Sequence, residues 1–77
     1  MKEILELLIK NLVNDQDSVV ITETVSDNNE IKYLVKVSEG DMGRVIGKRG
    51  KIAQSIRTLI KGIATKENKK VVVEFGD

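Results

Sequence analysis

The chain has 77 residues, with 13 Lys or Arg, 12 Asp or Glu, and no His, Cys, Pro or Trp. That is room for one domain over residues 1–77, with no disulfide framework, no thiolate metal site and neither histidine nor cysteine as general base or nucleophile, though carboxylates, lysines and Tyr33 remain. The expectation is a non-enzyme with no cofactor and no metal. The net charge of +1 hides a strong asymmetry. Residues 1–39 carry four Lys against eight Asp or Glu, a net of −4. Residues 40–70 carry nine Lys or Arg against Asp41 and Glu67, a net of +7, and Glu74 and Asp77 follow. Such polarisation points to an anionic partner.

The opening stretch MKEILELLIK is amphipathic, with Ile4, Leu5, Leu8, Ile9 and Leu12 at helical spacing over residues 2–14. Glu3 and Glu6, and the lack of a small-residue cleavage site, make it a surface helix of a cytoplasmic protein rather than a signal peptide. No apolar run approaches the roughly 20 residues of a membrane span. SVVITETV, 18–25, is rich in β-branched residues and reads as a strand. SDNNE, 26–30, reads as a hairpin turn, with Asn28-Asn29 able to take positive φ. In IKYLVKV, 31–37, Ile31, Tyr33, Val35 and Val37 alternate with Lys32 and Lys36, a half-buried strand with Tyr33 in the core.

Gly40 and Asp41 break that strand, and Asp41 is placed as the N-cap of a short helix over about 42–46. Gly47 and Gly50 interrupt the helical pattern, each costing about 1 kcal/mol against alanine in a helix interior. A second helix follows over about 51–66, with Ile52, Ile56, Leu59 and Ile63 as its apolar stripe. ENKK is a loop, and VVVEF, 71–75, is a strand with Val71, Val73 and Phe75 on one face. The order is α-β-β-α-α-β: an α+β domain of two layers, with a three-stranded sheet covered by helices on one face.

The densest positive charge lies in GRVIGKRGK, 43–51. Two readings of its glycines fit the spacing. Gly47 ends one helix and Gly50 starts the next, with no further role. Alternatively, the pair lets backbone approach a phosphate chain while Lys48 and Arg49 neutralise it, beside a helix N-terminus that favours anions. Neither GxxxxGK[ST] nor G-x-G-x-x-G occurs, so the common nucleotide loops are excluded, and no carboxylate cluster suggests a metal.

GRVIGKRGKIAQSI resembles the KH-domain signature V-I-G-x-x-G-x-x-I-x-x-I. Val45, Ile46, Gly47, Gly50 and Ile56 match in register; Ala53 departs from it, with Ile52 just before. The element order is that of the type II KH fold, and the chain resembles the small bacterial single-KH proteins of the KhpA type. The resemblance implies a loop that clamps the backbone of about four single-stranded nucleotides beside a shallow apolar groove. Gly47, Lys48, Arg49 and Gly50 would then hold phosphates, with Arg44, Val45, Ile46, Lys51 and Ile52 flanking the groove. It also implies an RNA chaperone or post-transcriptional regulator, pairing with itself or with a KhpB-type partner, and a link to cell-envelope and cell-shape control. One Phe, one Tyr and no Trp disfavour the aromatic platforms of other RNA-binding modules. Lys61, Lys66, Lys69 and Lys70 read as a solvated face. The rivals are a protein-interaction module of the same fold, indifferent to loop charge, and a small phosphate-handling enzyme.

Ala53, Ile60 and Ala64 form a shoulder beside the main stripe of the second helix. The first helix is one candidate cover for it; the expectation is a homodimer in which two chains pack this face against its symmetry mate.

Overall fold

The computed structural model describes residues 1–76. Its elements are α1 (Lys2–Leu12), β1 (Val20–Val25), β2 (Glu30–Lys36), α2 (Met42–Ile46), α3 (Lys51–Lys66) and β3 (Lys70–Phe75), with short 3-10 turns at Gln16–Ser18, Glu39–Asp41 and Lys48–Gly50. This is the expected α-β-β-α-α-β order. β1 starts two residues later than expected, because Gln16–Ser18 coil into a turn in which Ser18 Oγ donates to Asp15 at 2.6 Å.

The sheet order is β1-β2-β3. β1 and β2 are antiparallel, with Val20 opposite Lys36 and Val25 opposite Ile31. Their hairpin closes with Ser26 N–H on Glu30 O at 2.9 Å, and Asn29 alone of the asparagine pair takes positive φ, 63°. β2 and β3 are parallel, with Glu30 opposite Lys70 and Val35 opposite Phe75. Period-2 alternation puts Ile21, Ile31, Tyr33, Val35, Val71 and Val73 on the helix-covered face, all buried. The outer face carries exposed polar side chains, among them the Lys32–Glu74 pair at 3.4 Å.

α1 contributes Leu5 and Ile9 to the core and leaves Ile4 and Leu7 exposed. α3 departs from its expected packing. Its buried face is Ala53, Ile56, Ile60 and Ala64, while Leu59 is 47% exposed and Ile52 and Ile63 are only partly buried. The shoulder is therefore the core face. Small alanines let a helix backbone lie close to its neighbours, so Ile60 reaches full burial at 0% exposure, and the bulkier Leu59 is left on the flank. Ala53, Ile60 and Ala64 are occupied within the chain and are not a surface on which two chains can pack. α3 ends on Asn68 at φ 57°, with Lys69 N–H on Ala64 O at 2.9 Å, a left-handed cap in which asparagine replaces the usual glycine.

The Asp41 side chain makes no capping hydrogen bond to the backbone of the helix it precedes. Its carboxylate instead accepts Asn14 N–H at 3.0 Å, Asp15 N–H at 2.9 Å and Ser38 Oγ at 2.9 Å, with Arg44 Nε at 3.3 Å. It thus ties the end of α1 to the start of α2 while buried to 3% exposure. The Asn14 and Asp15 amides hold its pKa below the ordinary aspartate value, burial opposing them in part. A depressed pKa contributes stability that is present above the unfolded-state value, about 3.9, and is lost as pH falls through the folded-state value. Asp41→Asn is expected to lower the urea midpoint at pH 7. Its midpoint should also fall less than the wild type's between pH 6 and pH 3; equal acid losses would contradict the role of this carboxylate.

Candidate nucleic-acid interface

A parallel strand pair needs a crossover, here α2, a loop and α3 between β2 and β3. β2 ends at Lys36, and α3 must run back along the sheet to deliver the chain to Lys70. The break between α2 and α3 therefore lies at the carboxyl end of the parallel strands, where open α/β sheets tend to bind ligands. The charge placed there is positive.

Gly47 closes α2 with its N–H on Gly43 O at 2.9 Å, and Gly50 N–H returns to Gly47 O at 3.2 Å. Three residues of this turn have positive φ: Gly47 at 75°, Arg49 at 57° and Gly50 at 73°. The two signature glycines have different reasons. Gly47 combines φ 75° with ψ 175°, a region essentially closed to side chains, and a Cβ there would lie 2.6 Å from Ile52 Cγ1. Gly50 is left-handed, and a Cβ on it would meet nothing within 4 Å, so its backbone is open to an incoming chain. The Gly50 N–H, on Gly47 O, and the Lys51 N–H, on Lys48 O, are taken up inside the turn, so neither is left to hold an anion. The N-terminus of the 16-residue α3 adds a positive dipole end at the same place.

Gly47→Ala is accordingly expected to destabilise by about 2–4 kcal/mol through backbone strain and overpacking against Ile52, and Gly50→Ala by only about 1–2 kcal/mol. Urea denaturation of both variants checks the order; equal losses would contradict it.

Lys48, Arg49 and Lys51 are exposed, and none has an ion pair among the described residues. Arg44 is exposed at the side of the turn, already engaged with Asp41. Ile46 and Ile52 are partly buried, and Ile52 packs under Gly47 rather than standing free in a groove. Val45 is fully buried, so it supports the loop from behind and does not face a ligand. It points inward because it sits on the core side of a helix only five residues long.

One feature absent from the expected site lies beside it. Arg57, about 10 Å along α3 from Gly50 at 1.5 Å per residue, donates Nε–H to Val73 O of the edge strand at 3.0 Å. Its guanidinium stands 5.3 Å from the centroid of the Phe75 ring. An arginine among the apolar positions of an amphipathic helix was the available signal. Farther along the α3–β3 side, Lys61, Lys69 and Lys70 line a shallow groove with Glu30 and Thr65. At the opposite end of the sheet a cleft of about 640 Å³ is lined by Glu3, Glu23, Glu67 and Tyr33, among others. The Tyr33 hydroxyl there is shifted upward, chiefly by burial and then by the Glu23 carboxylate, and stays protonated.

The family model described as KhpA/KhpB, KH domain matches residues 2–75. The chain belongs to this KH-domain family. Among its relatives, proteins named "RNA-binding protein KhpA" from Clostridium perfringens and Clostridium acetobutylicum are each 51% identical over 75 residues, covering 97% of this chain and 99% of theirs. The protein of that name from Listeria monocytogenes is 43% identical over 75 residues, with 97% of both chains covered. A stretch of a crystal structure of an Aquifex aeolicus Era variant bound to GDP.AlF4- superposes with a TM-score of 0.64 at 20% identity. It covers 95% of this chain and 28% of that one, a likeness of fold. In this KH domain the break between α2 and α3 is the signature loop, Gly47 to Gly50, with its two variable positions filled by Lys48 and Arg49. No helix among the described residues is long and apolar enough to cross a membrane.

Proposed function

We propose that this KH domain binds single-stranded RNA, with the turn at Gly47–Gly50 clamping the backbone. The observation that carries the reading is the coincidence, at one end of α3, of an open backbone at Gly50, the exposed cations Lys48, Arg49 and Lys51, and a helix N-terminus. Each favours phosphate, and a KH loop grips about four nucleotides in this way. The name carried by the curated relatives agrees with it. The protein acts without catalysis in the cytoplasm, as an RNA chaperone or post-transcriptional regulator, with the link to cell-envelope and cell-shape control that the family resemblance implies.

Pairing with a second copy or with a KhpB-type partner belongs to the same reading. It has to use side chains other than Ala53, Ile60 and Ala64, and exposed apolar ones exist at Leu59 on α3 and at Ile4 and Leu7 on α1. RNA binding is tested by titrating hexauridine into the protein at several salt concentrations. With about three phosphates neutralised, the log–log slope is near −2, from about −0.7 per contact on single strands. Absence of binding at low salt would overturn the reading.

A further inference from the structure

We infer that Arg57 reads a base in the bound strand, and that the base it selects is guanine. The inference rests on the RNA-clamp reading and adds a specificity residue to it. Arg57 lies on the flank of α3 that faces β3, at the same end of the sheet as the loop, because α3 starts at Lys51 and β3 ends at Phe75. At about 10 Å from Gly50 along the helix, it lies within the reach of a strand whose backbone is gripped over about four nucleotides.

Its geometry separates it from the loop cations. Lys48 and Arg49 are exposed at the tip of the turn and suit phosphates. Arg57 is half-buried and fixed at two points: Nε on Val73 O at 3.0 Å, and the guanidinium over Phe75 at 5.3 Å. No carboxylate neutralises it among the described residues. With Nε committed to the carbonyl, the Nη1–Nη2 edge has no partner among the described residues, so a flat pair of donors remains. A pre-oriented guanidinium edge matches two adjacent acceptors; guanine presents O6 and N7 in that arrangement and cytosine N3 and O2, whereas adenine offers N7 beside a donor, so a cytosine preference in place of guanine would overturn the choice of base. The second face of the guanidinium, away from Phe75, is left for a stacked neighbour.

The test uses hexauridine carrying one guanine at each position in turn, the same set with adenine and with cytosine, and the best guanine oligomer rebuilt with 7-deazaguanine. At its best position guanine should bind about five- to hundredfold tighter than adenine, the range for one bidentate contact. The 7-deaza oligomer should lose most of that advantage with the wild-type protein, which needs no variant to fold. Arg57→Lys, checked by circular dichroism, should erase the guanine preference while still binding hexauridine in a loop-dependent way. No guanine preference in the wild type, or a preference that survives Arg57→Lys, would overturn the inference. So would a uniform loss across all oligomers in Arg57→Lys, which would make Arg57 a phosphate contact. Wild-type affinity in Lys48→Asp with Arg49→Asp would instead sink the clamp reading, and this inference with it.

Discussion

Replacing Lys48 and Arg49 together by aspartate should lower affinity for single-stranded RNA by about a hundredfold or more. Each cation is exposed and unpaired among the described residues, so both are available to phosphate oxygens. A hydrogen bond to a charged group contributes about 1.5–3 kcal/mol, and two such losses together reach that factor. The new carboxylates would also repel the strand. The salt dependence should collapse with the affinity, from a slope near −2 toward zero, because the counterions those phosphates release are no longer displaced. Stability should change little, since neither side chain is buried. Arg49 has φ 57°, a conformation that aspartate tolerates better than most residues, which favours an intact turn. An unchanged affinity beside an unchanged circular dichroism spectrum would show that the loop does not hold the strand.

Ile60→Asp should unfold the domain. Ile60 is 0% exposed, between α3 and the sheet, in one core with Leu5, Ile9, Tyr33 and Val45. A carboxylate there has no partner, and an uncompensated buried charge typically costs about 3–5 kcal/mol beyond the lost apolar packing. A domain of this length has about 4–12 kcal/mol in total, at the usual 0.05–0.15 per residue. Leu59→Asp, one position away, is the control. At 47% exposure it should leave the fold intact, and if Leu59 belongs to a homodimer contact, sedimentation of that variant should show a monomer where the wild type pairs. A folded Ile60→Asp would contradict the packing of α3.

The contrast between those two positions shows what pattern reading captures and what it does not. The break in the helices was legible, because glycine is the one residue for which Gly47's φ and ψ cost little, and Gly50 lies three residues on. The strands were legible from alternation in Ile31, Tyr33 and Val35 and in Val71 and Val73, all buried. The buried face of α3 was not. Counting apolar bulk favours Ile52, Leu59 and Ile63, whereas packing favours whichever face lets the backbone approach, and that is the face with Ala53 and Ala64. The two agree only at Ile56. Asp41 was legible as a polar residue before a helix but not as the tie to Asn14 and Asp15, because those amides are 27 and 26 residues away in sequence. Arg57 escaped for the same reason: its partners, Val73 and Phe75, belong to a strand that only the crossover brings alongside. Local signals placed the loop, and long-range contacts determine what stands next to it.

RNA is expected to enter at the α2–α3 turn. An NMR titration of the uniformly labelled protein with hexauridine measures this residue by residue without altering the chain. The predicted result is a set of amide shifts concentrated at Gly47 to Lys51 and extending to Arg57 Nε–H and Phe75 along the α3–β3 flank. Shifts confined to the outer face of the sheet, or to the cleft around Glu3, Glu23 and Glu67, would contradict it.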